Sequence, residues 1–172
     1  MITLTPLEDS DHPHFAQELF ESAFPYEERP DFDELENRGN NFHFKVATSD
    51  DDPIGILTYW VFGDFVYVEH FAICEELRNN GFGKAVFLNF MMQYEGQIVM
   101  EVELPHDETS ENRLEFYSSM GLYRNPFDYS QPSYHGDTTN VPMTIMSKFE
   151  LDDDEFEEIR KTIYKEVYHI NE

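Results

Sequence analysis

The chain has 172 residues, 40% hydrophobic and 16% aromatic, with 36 Asp and Glu against 11 Lys and Arg and a net charge of −25. That length predicts one domain, and the apolar content suffices for a packed core, which excludes a disordered chain. The charge argues against nucleic acid and membrane surfaces as partners, because phosphate binding relies on Lys and Arg, and no apolar run approaches the ~20 residues that span a bilayer.

Residues 1–6 carry neither a basic segment nor a signal-type apolar stretch. Cys74 is the only cysteine, so no internal disulfide is expected and a cytoplasmic setting fits. Ile2-Thr3-Leu4-Thr5 alternates as a first strand. Ser10 and Pro13 open a helix with Phe15, Leu19, Ala23 and Phe24 at helical spacing. Pro25 and Pro30 end it, and Phe32 and Leu35 suggest a short second helix. Three strands are expected next, over residues 42–47, 54–62 and 65–73, joined as antiparallel hairpins. Residues 83–94 read as a helix with Val86, Phe87, Phe90, Met91 and Tyr94 on one face. A strand over 97–104 ends at Pro105; Thr109 or Ser110 caps a further helix, and Gly121 terminates it. Extended segments follow at 123–129 and 143–149. The last helix starts in Asp152-Asp153-Asp154-Glu155 and carries a stripe of Phe156, Ile159, Ile163 and Val167. This order predicts an α+β fold, a largely antiparallel sheet flanked by helices, as one domain over 1–150 with a C-terminal helix over 151–172 packed on it.

Chemistry concentrates in residues 65–94. A strand runs into Arg78-Asn79-Asn80-Gly81-Phe82-Gly83-Lys84 and then a helix. Gly81 and Gly83 let a ligand approach the main chain. The helix start offers unpaired N–H groups and a positive dipole end. Arg78 and Lys84 add charge beside those donors, so the stretch reads as a pyrophosphate cradle. It is neither a Walker loop, since Ala85 follows Lys84, nor a dinucleotide fingerprint, which needs a third glycine. No His/Cys set has metal-ligand spacing, and the acid runs lack the calcium-loop pattern.

Arg78-x-x-Gly81-x-Gly83 after an apolar strand resembles motif A of the GCN5-related N-acetyltransferases, the GNAT superfamily. Phe116-Tyr117-Ser118-Ser119-Met120-Gly121-Leu122 is similar to that family's helix with a catalytic tyrosine. Phe24-Pro25-Tyr26-Glu27-Glu28-Arg29 and Val68-Glu69-His70-Phe71-Ala72-Ile73 resemble its inter-helix segment and fourth strand. Residues 129–134 and 143–147 resemble the tail of one bacterial subgroup. The likeness implies a single-domain acetyltransferase with acetyl-CoA as co-substrate and no metal.

By position, the resemblance assigns the pyrophosphate to the backbone amides of Asn79, Asn80, Gly81, Phe82, Gly83 and Lys84, with Arg78 beside them. It assigns the pantetheine arm to main-chain groups of Phe71, Ala72 and Ile73. Tyr117 takes the general-acid position; a phenol with pKa near ~10 stays protonated and can donate to the departing thiolate. Glu69 takes the base position, with Glu101 and Glu103 as alternatives. His70, by strand alternation, is expected on the face opposite Glu69. Ser110 stands where many relatives have a cofactor-contacting Asn, so that contact is not transferred; Arg113 can instead reach the CoA phosphates. The acceptor is expected to be a primary amine on a small molecule or peptide, cationic if the acid surface steers it. Residues 25–40 and 129–141 are expected to shape its pocket. Tyr59, Trp60, Phe62, Phe65 and Tyr67 are expected in the core or at a homodimer surface. The alternatives are a non-catalytic acyl-CoA sensor on the same scaffold and an acidic protein-interaction module.

Overall fold

A computed structural model describes residues Met1–Glu172. The chain forms two compact units, Met1–Gly96 and Gln97–Glu172. No helix is long and apolar enough to cross a membrane.

In the first unit, β1 (Ile2–Pro6), β2 (Phe42–Ser49), β3 (Asp52–Val61) and β4 (Phe65–Ile73) form an antiparallel sheet in that order. The strand ends fall within two residues of those expected from sequence. Helix α1 (Pro13–Ala23) has Pro13 in its first turn as expected, but its N-cap is His12, whose N–H donates to the Ser10 hydroxyl. Its buried residues are Ala16, Leu19 and Phe20. Phe20 is the centre of its packing, within about 6 Å of the rings of Phe24, Phe32 and Phe44. The short element at Phe32–Asn37 is a 3-10 helix. Helix α2 (Phe82–Met91) buries Val86, Phe87 and Phe90. The two helices serve separate clusters: α1 covers Phe44, Val46 and Ile56, and Val86 of α2 packs with Ala47, Ile54 and Ile73.

The pairing of β3 with β4 is out of step at one point. Thr58 pairs with His70 and Tyr59 with Val68, which leaves Glu69 as an extra residue on β4. A bulge of this kind turns two neighbouring side chains to one side and bends the strand. Beyond it the strands run very close. A Cβ on Gly55 would lie 2.6 Å from the Ala72 carbonyl oxygen and 2.8 Å from Ile73 Cδ1.

In the second unit β8 (Val141–Ser147) is central. It pairs antiparallel with β5 (Gln97–Glu103), and with the two short strands β6 (Tyr123–Arg124) and β7 (Tyr129–Gln131). Helix α3 (Glu108–Ser119) starts three residues earlier than a Ser110 cap would place it. Asp107 is the N-cap and Ser110 the reciprocal residue of a capping box, because a carboxylate reaches the third helical N–H as a hydroxyl would. Gly121 follows its end at φ +91°. Helix α4 (Asp153–Glu166) begins in the acid cluster, with a capping box between Asp152 and Glu155. It packs Phe156 on Phe127 at 4.5 Å and Tyr164 on Tyr129 at 5.8 Å.

The close approach at Gly55 sets a stability test. Gly55→Ala forces a methyl against backbone rather than a movable side chain, so it should cost about 1–3 kcal/mol. Urea unfolding of the variant checks this; an unchanged midpoint refutes the contact.

Candidate active site

The segment after β4 is shaped by two left-handed residues. Asn79 has φ +64° and Gly81 φ +83°. Gly81 is the N-cap of α2, and no side chain caps that helix. The first helical bond beyond it is Ala85 N–H to Gly81 O at 3.1 Å. The N–H groups of Phe82, Gly83 and Lys84 therefore precede the first helical bond and belong to the orphan donors of a helix start. Successive N–H groups around left-handed residues form an anion-binding concavity. Asn80 folds the turn by donating to the carbonyls of Leu77 and Arg78 at 3.3 and 2.9 Å. Arg78 is tied by Nε to the Ile73 carbonyl at 2.9 Å. Neither Arg78 nor Lys84 enters an ion pair, whereas Arg38, Arg113, Arg160, Lys161 and Lys165 each hold a carboxylate. In a chain of charge −25, two basic side chains without acidic partners beside a row of N–H donors fit a polyphosphate.

Glu69, given the base position by the resemblance, is buried. Its side chain is 0% exposed. Oε1 accepts from Arg38 Nη1 at 2.5 Å and from Trp60 Nε1 at 2.7 Å. Arg38 lies between two rings, 4.9 Å from Phe42 and 4.9 Å from Trp60. Burial alone pushes the Glu69 carboxyl up, but the charge of Arg38, that of His70 and the two hydrogen bonds outweigh it, and its pKa is lowered. A buried carboxylate of lowered proton affinity is a poor proton acceptor.

His70 also departs from expectation. It lies on the same side of the sheet as Glu69, its Nδ1 4.0 Å from Glu69 Oε2, with its ring 4.6 Å from Phe24 and 5.3 Å from Phe20. The bulge is the reason, since it breaks the alternation that would separate the two. His70 Nε2 is 2.9 Å from the Glu28 carbonyl. A carbonyl only accepts, so Nε2 carries the hydrogen. Burial, ahead of the opposing pull of Glu69, lowers the pKa of His70.

In the second unit Tyr117 sits on α3, 6% exposed. Burial pushes its hydroxyl up to about 12, against the opposing charge of Arg113, so the phenol is protonated across the neutral range. Arg113, one turn earlier, holds Glu103 at 3.3 Å, and Glu103 also meets His106 at 2.6 Å. Glu101 accepts from the hydroxyls of Tyr129 at 2.7 Å and Tyr168 at 2.6 Å. Burial first, then the Glu101 charge, drives the Tyr129 hydroxyl well above its ordinary value. Sequence reasoning did not find Arg38, Tyr129 or Tyr168. Tyr164 and Tyr168, four residues apart at the end of a helical pattern, were the available signal. Tyr59, Trp60, Phe65 and Tyr67 are buried, as expected for core.

Residues 10–122 match the Acetyltransferase (GNAT) family. Among solved structures, the chain is similar to a protein assigned to the GNAT acetyltransferase family from Bacteroides thetaiotaomicron, with 35% identity, 99% of each chain covered and a TM-score of 0.90. It shares the fold of the ribosomal-protein-S18-alanine N-acetyltransferase from Escherichia coli, at 18% identity, 86% and 92% coverage and a TM-score of 0.60. It also shares the fold of an aminoglycoside 6'-N-acetyltransferase complexed with coenzyme A, at 15% identity, 86% and 96% coverage and a TM-score of 0.63. No curated protein matches the chain.

The Glu69–Arg38 pair sets a pH test. A lowered native pKa contributes stability that is complete above the unfolded-state value and is lost as pH falls through the native one. Glu69→Gln leaves a buried guanidinium without its counter-charge and should cost about 3–5 kcal/mol at neutral pH. That difference from wild type should shrink as pH drops below the ordinary glutamate value of 4.5. Denaturant titrations over a pH series measure it; a gap that stays constant into strong acid contradicts the assignment.

Proposed function

The chain belongs to the GNAT acetyltransferase family, and on that premise we propose that it is an acetyl-CoA-dependent N-acetyltransferase moving an acetyl group to a primary amine by direct attack. The observation that carries the reading is the turn at residues 78–84: a left-handed Gly81 cap, helical N–H donors without a side-chain cap, and two basic side chains without acidic partners. The amides of residues 79–84 hold the pyrophosphate, and Arg78 and Lys84 offset its charge. The edge of β4 away from β3 offers the main-chain groups of Phe71, Ala72 and Ile73 to the peptide-like pantetheine arm, as an added strand would. Arg113 is a further cation that can reach the CoA phosphates on leaving Glu103, which it holds at 3.3 Å.

The neutral amine attacks the thioester carbonyl; the C–N bond forms and the C–S bond breaks. Tyr117 gives its phenolic proton to the leaving thiolate, and its raised pKa makes the phenolate it leaves a short-lived species that regains a proton. Glu69, buried and ion-paired, is a poor acceptor for the ammonium proton. Glu101 of β5, held by two neutral phenols, takes that role directly or through water, with Glu103, paired to Arg113, as the alternative.

A cationic acceptor fits the charge of the segment between α1 and β2. Glu27, Asp31, Asp33, Glu34 and Glu36 are exposed there, and none of them forms an ion pair. The relatives named above act on a protein alanine and on an aminoglycoside, so the acceptor class here is a small molecule or a peptide. Acetyl-CoA as co-substrate and a free Cys74 thiol fit a reducing, cytoplasmic setting.

Two measurements test this. Arg78→Ala and Lys84→Ala should each weaken acetyl-CoA binding by about tenfold in calorimetry, the loss of one charge-assisted bond; unchanged affinity removes the turn from the site. Tyr117→Phe should lower kcat about 100-fold in a thiol-release assay with an amine panel, with the acetyl-CoA KM nearly constant. An unchanged kcat removes Tyr117 from the mechanism.

A further inference from the structure

The β4 bulge places Glu69 and His70 side by side, and each reaches a different part of the segment between α1 and β2. Glu69 holds Arg38 at its far end, through a bond of 2.5 Å. His70 holds the carbonyl of Glu28 near its start, at 2.9 Å. Between those two points the chain turns inward at Pro30, Phe32 and Leu35. Phe32 rests 5.9 Å from Phe20 and 6.0 Å from Phe44, and Leu35 is buried. The carboxylates of Asp31, Asp33, Glu34 and Glu36 face solvent. Arg29 closes the first turn by donating from Nε to the Phe24 carbonyl at 3.0 Å.

We propose that Glu69 and His70 are positioning residues, which clamp residues 25–40 to the cofactor strand at two points and so set where the acceptor amine rests against the thioester. The proposal rests on the reading that β4 carries acetyl-CoA and that residues 25–40 border the acceptor. Three features support it. Both clamping residues directly precede Phe71, the first residue assigned to the pantetheine arm, so the two substrates share one strand as their reference. Both bonds are sheltered: Glu69 is 0% and Arg38 9% exposed in their side chains, and His70 is 5% exposed, which keeps water from competing for them. The bulge is what makes a double hold available, because regular alternation would send one of two adjacent side chains to the opposite face.

A base at Glu69 and a clamp at Glu69 predict different kinetics. A base sets kcat and the acid limb of its pH profile; a clamp sets the KM of the acceptor and leaves that limb in place. The decisive pair is His70→Leu and His70→Gln. The glutamine amide can donate to the Glu28 carbonyl, and leucine cannot. Hydrogen exchange read by mass spectrometry should rise about threefold to tenfold over residues 25–40 in His70→Leu, the effect of one hydrogen bond, and return toward wild type in His70→Gln. Acetyl-CoA affinity by calorimetry should be unaltered in both. With spermidine as the probe amine, His70→Leu should raise KM with kcat little changed. Arg38→Met should reproduce this pattern from the other clamp point, and should shift the emission of Trp60, the only tryptophan.

Unchanged exchange over residues 25–40 in His70→Leu overturns the proposal. So does a spermidine KM that does not move while exchange rises, or a Glu69→Gln enzyme that keeps its KM and loses the acid limb. Should Arg38→Met or Glu69→Gln fail to fold, the two His70 variants decide. Absence of acetyl-CoA binding by the wild-type chain would defeat the proposed function instead, and the exchange experiment would still judge the clamp.

Discussion

The extra residue in β4 is the constraint on which the arrangement around the cofactor strand depends. One unmatched position in the pairing with β3 puts a glutamate and a histidine on the same side. A charge in that place must be compensated, since an isolated buried carboxylate is heavily penalised. Arg38 supplies the compensation, and the rings of Phe42 and Trp60 enclose its guanidinium. The same surroundings that make Glu69 tolerable inside the protein make it reluctant to take a proton. Electrostatic comfort and basicity oppose each other here, and the lowered pKa shows which prevails.

The distribution of the scarce cations tells a related story. Arg160 is held by Glu157 and Glu172, Lys161 by Glu157 and Lys165 by Glu166, on or beside the C-terminal helix. Five of the eleven basic side chains, Arg38 and Arg113 among them, hold a carboxylate in this way. Arg78 and Lys84 do not, and they flank backbone donors of a helix start. Local charge sign within a Debye length of about 8 Å matters more for a bound polyphosphate than the net charge of the whole chain. A protein of charge −25 can therefore hold an anion where its backbone and two side chains make the neighbourhood positive.

One carboxylate of β5, Glu101, presents a contrast with Glu69. Glu101 is held by two phenols, which donate hydrogen bonds while carrying no charge. A neutral donor steadies a carboxylate without bringing a counter-charge, as a guanidinium does. That chemical difference separates Glu101 from Glu69, which the family resemblance put at the base position, and from Glu103, which Arg113 holds.

Local patterns written in the sequence determined most of the elements. Alternation marked β2, apolar runs between turns marked β3 and β4, apolar spacing marked α2 and α4, and Gly81 before Phe82-Gly83-Lys84 marked a helix start suited to phosphate; each depends only on neighbours a few residues away. Element ends were less legible, because Asp107 and Ser110 both qualify as caps and only the backbone path chooses between them. The roles of Glu69 and His70 were decided by tertiary structure alone. Their facing depends on a register shift against Thr58 and Tyr59, and the proton affinity of Glu69 depends on Arg38, 31 residues away. Register and burial are properties of paired and packed segments, and no single stretch of residues encodes them.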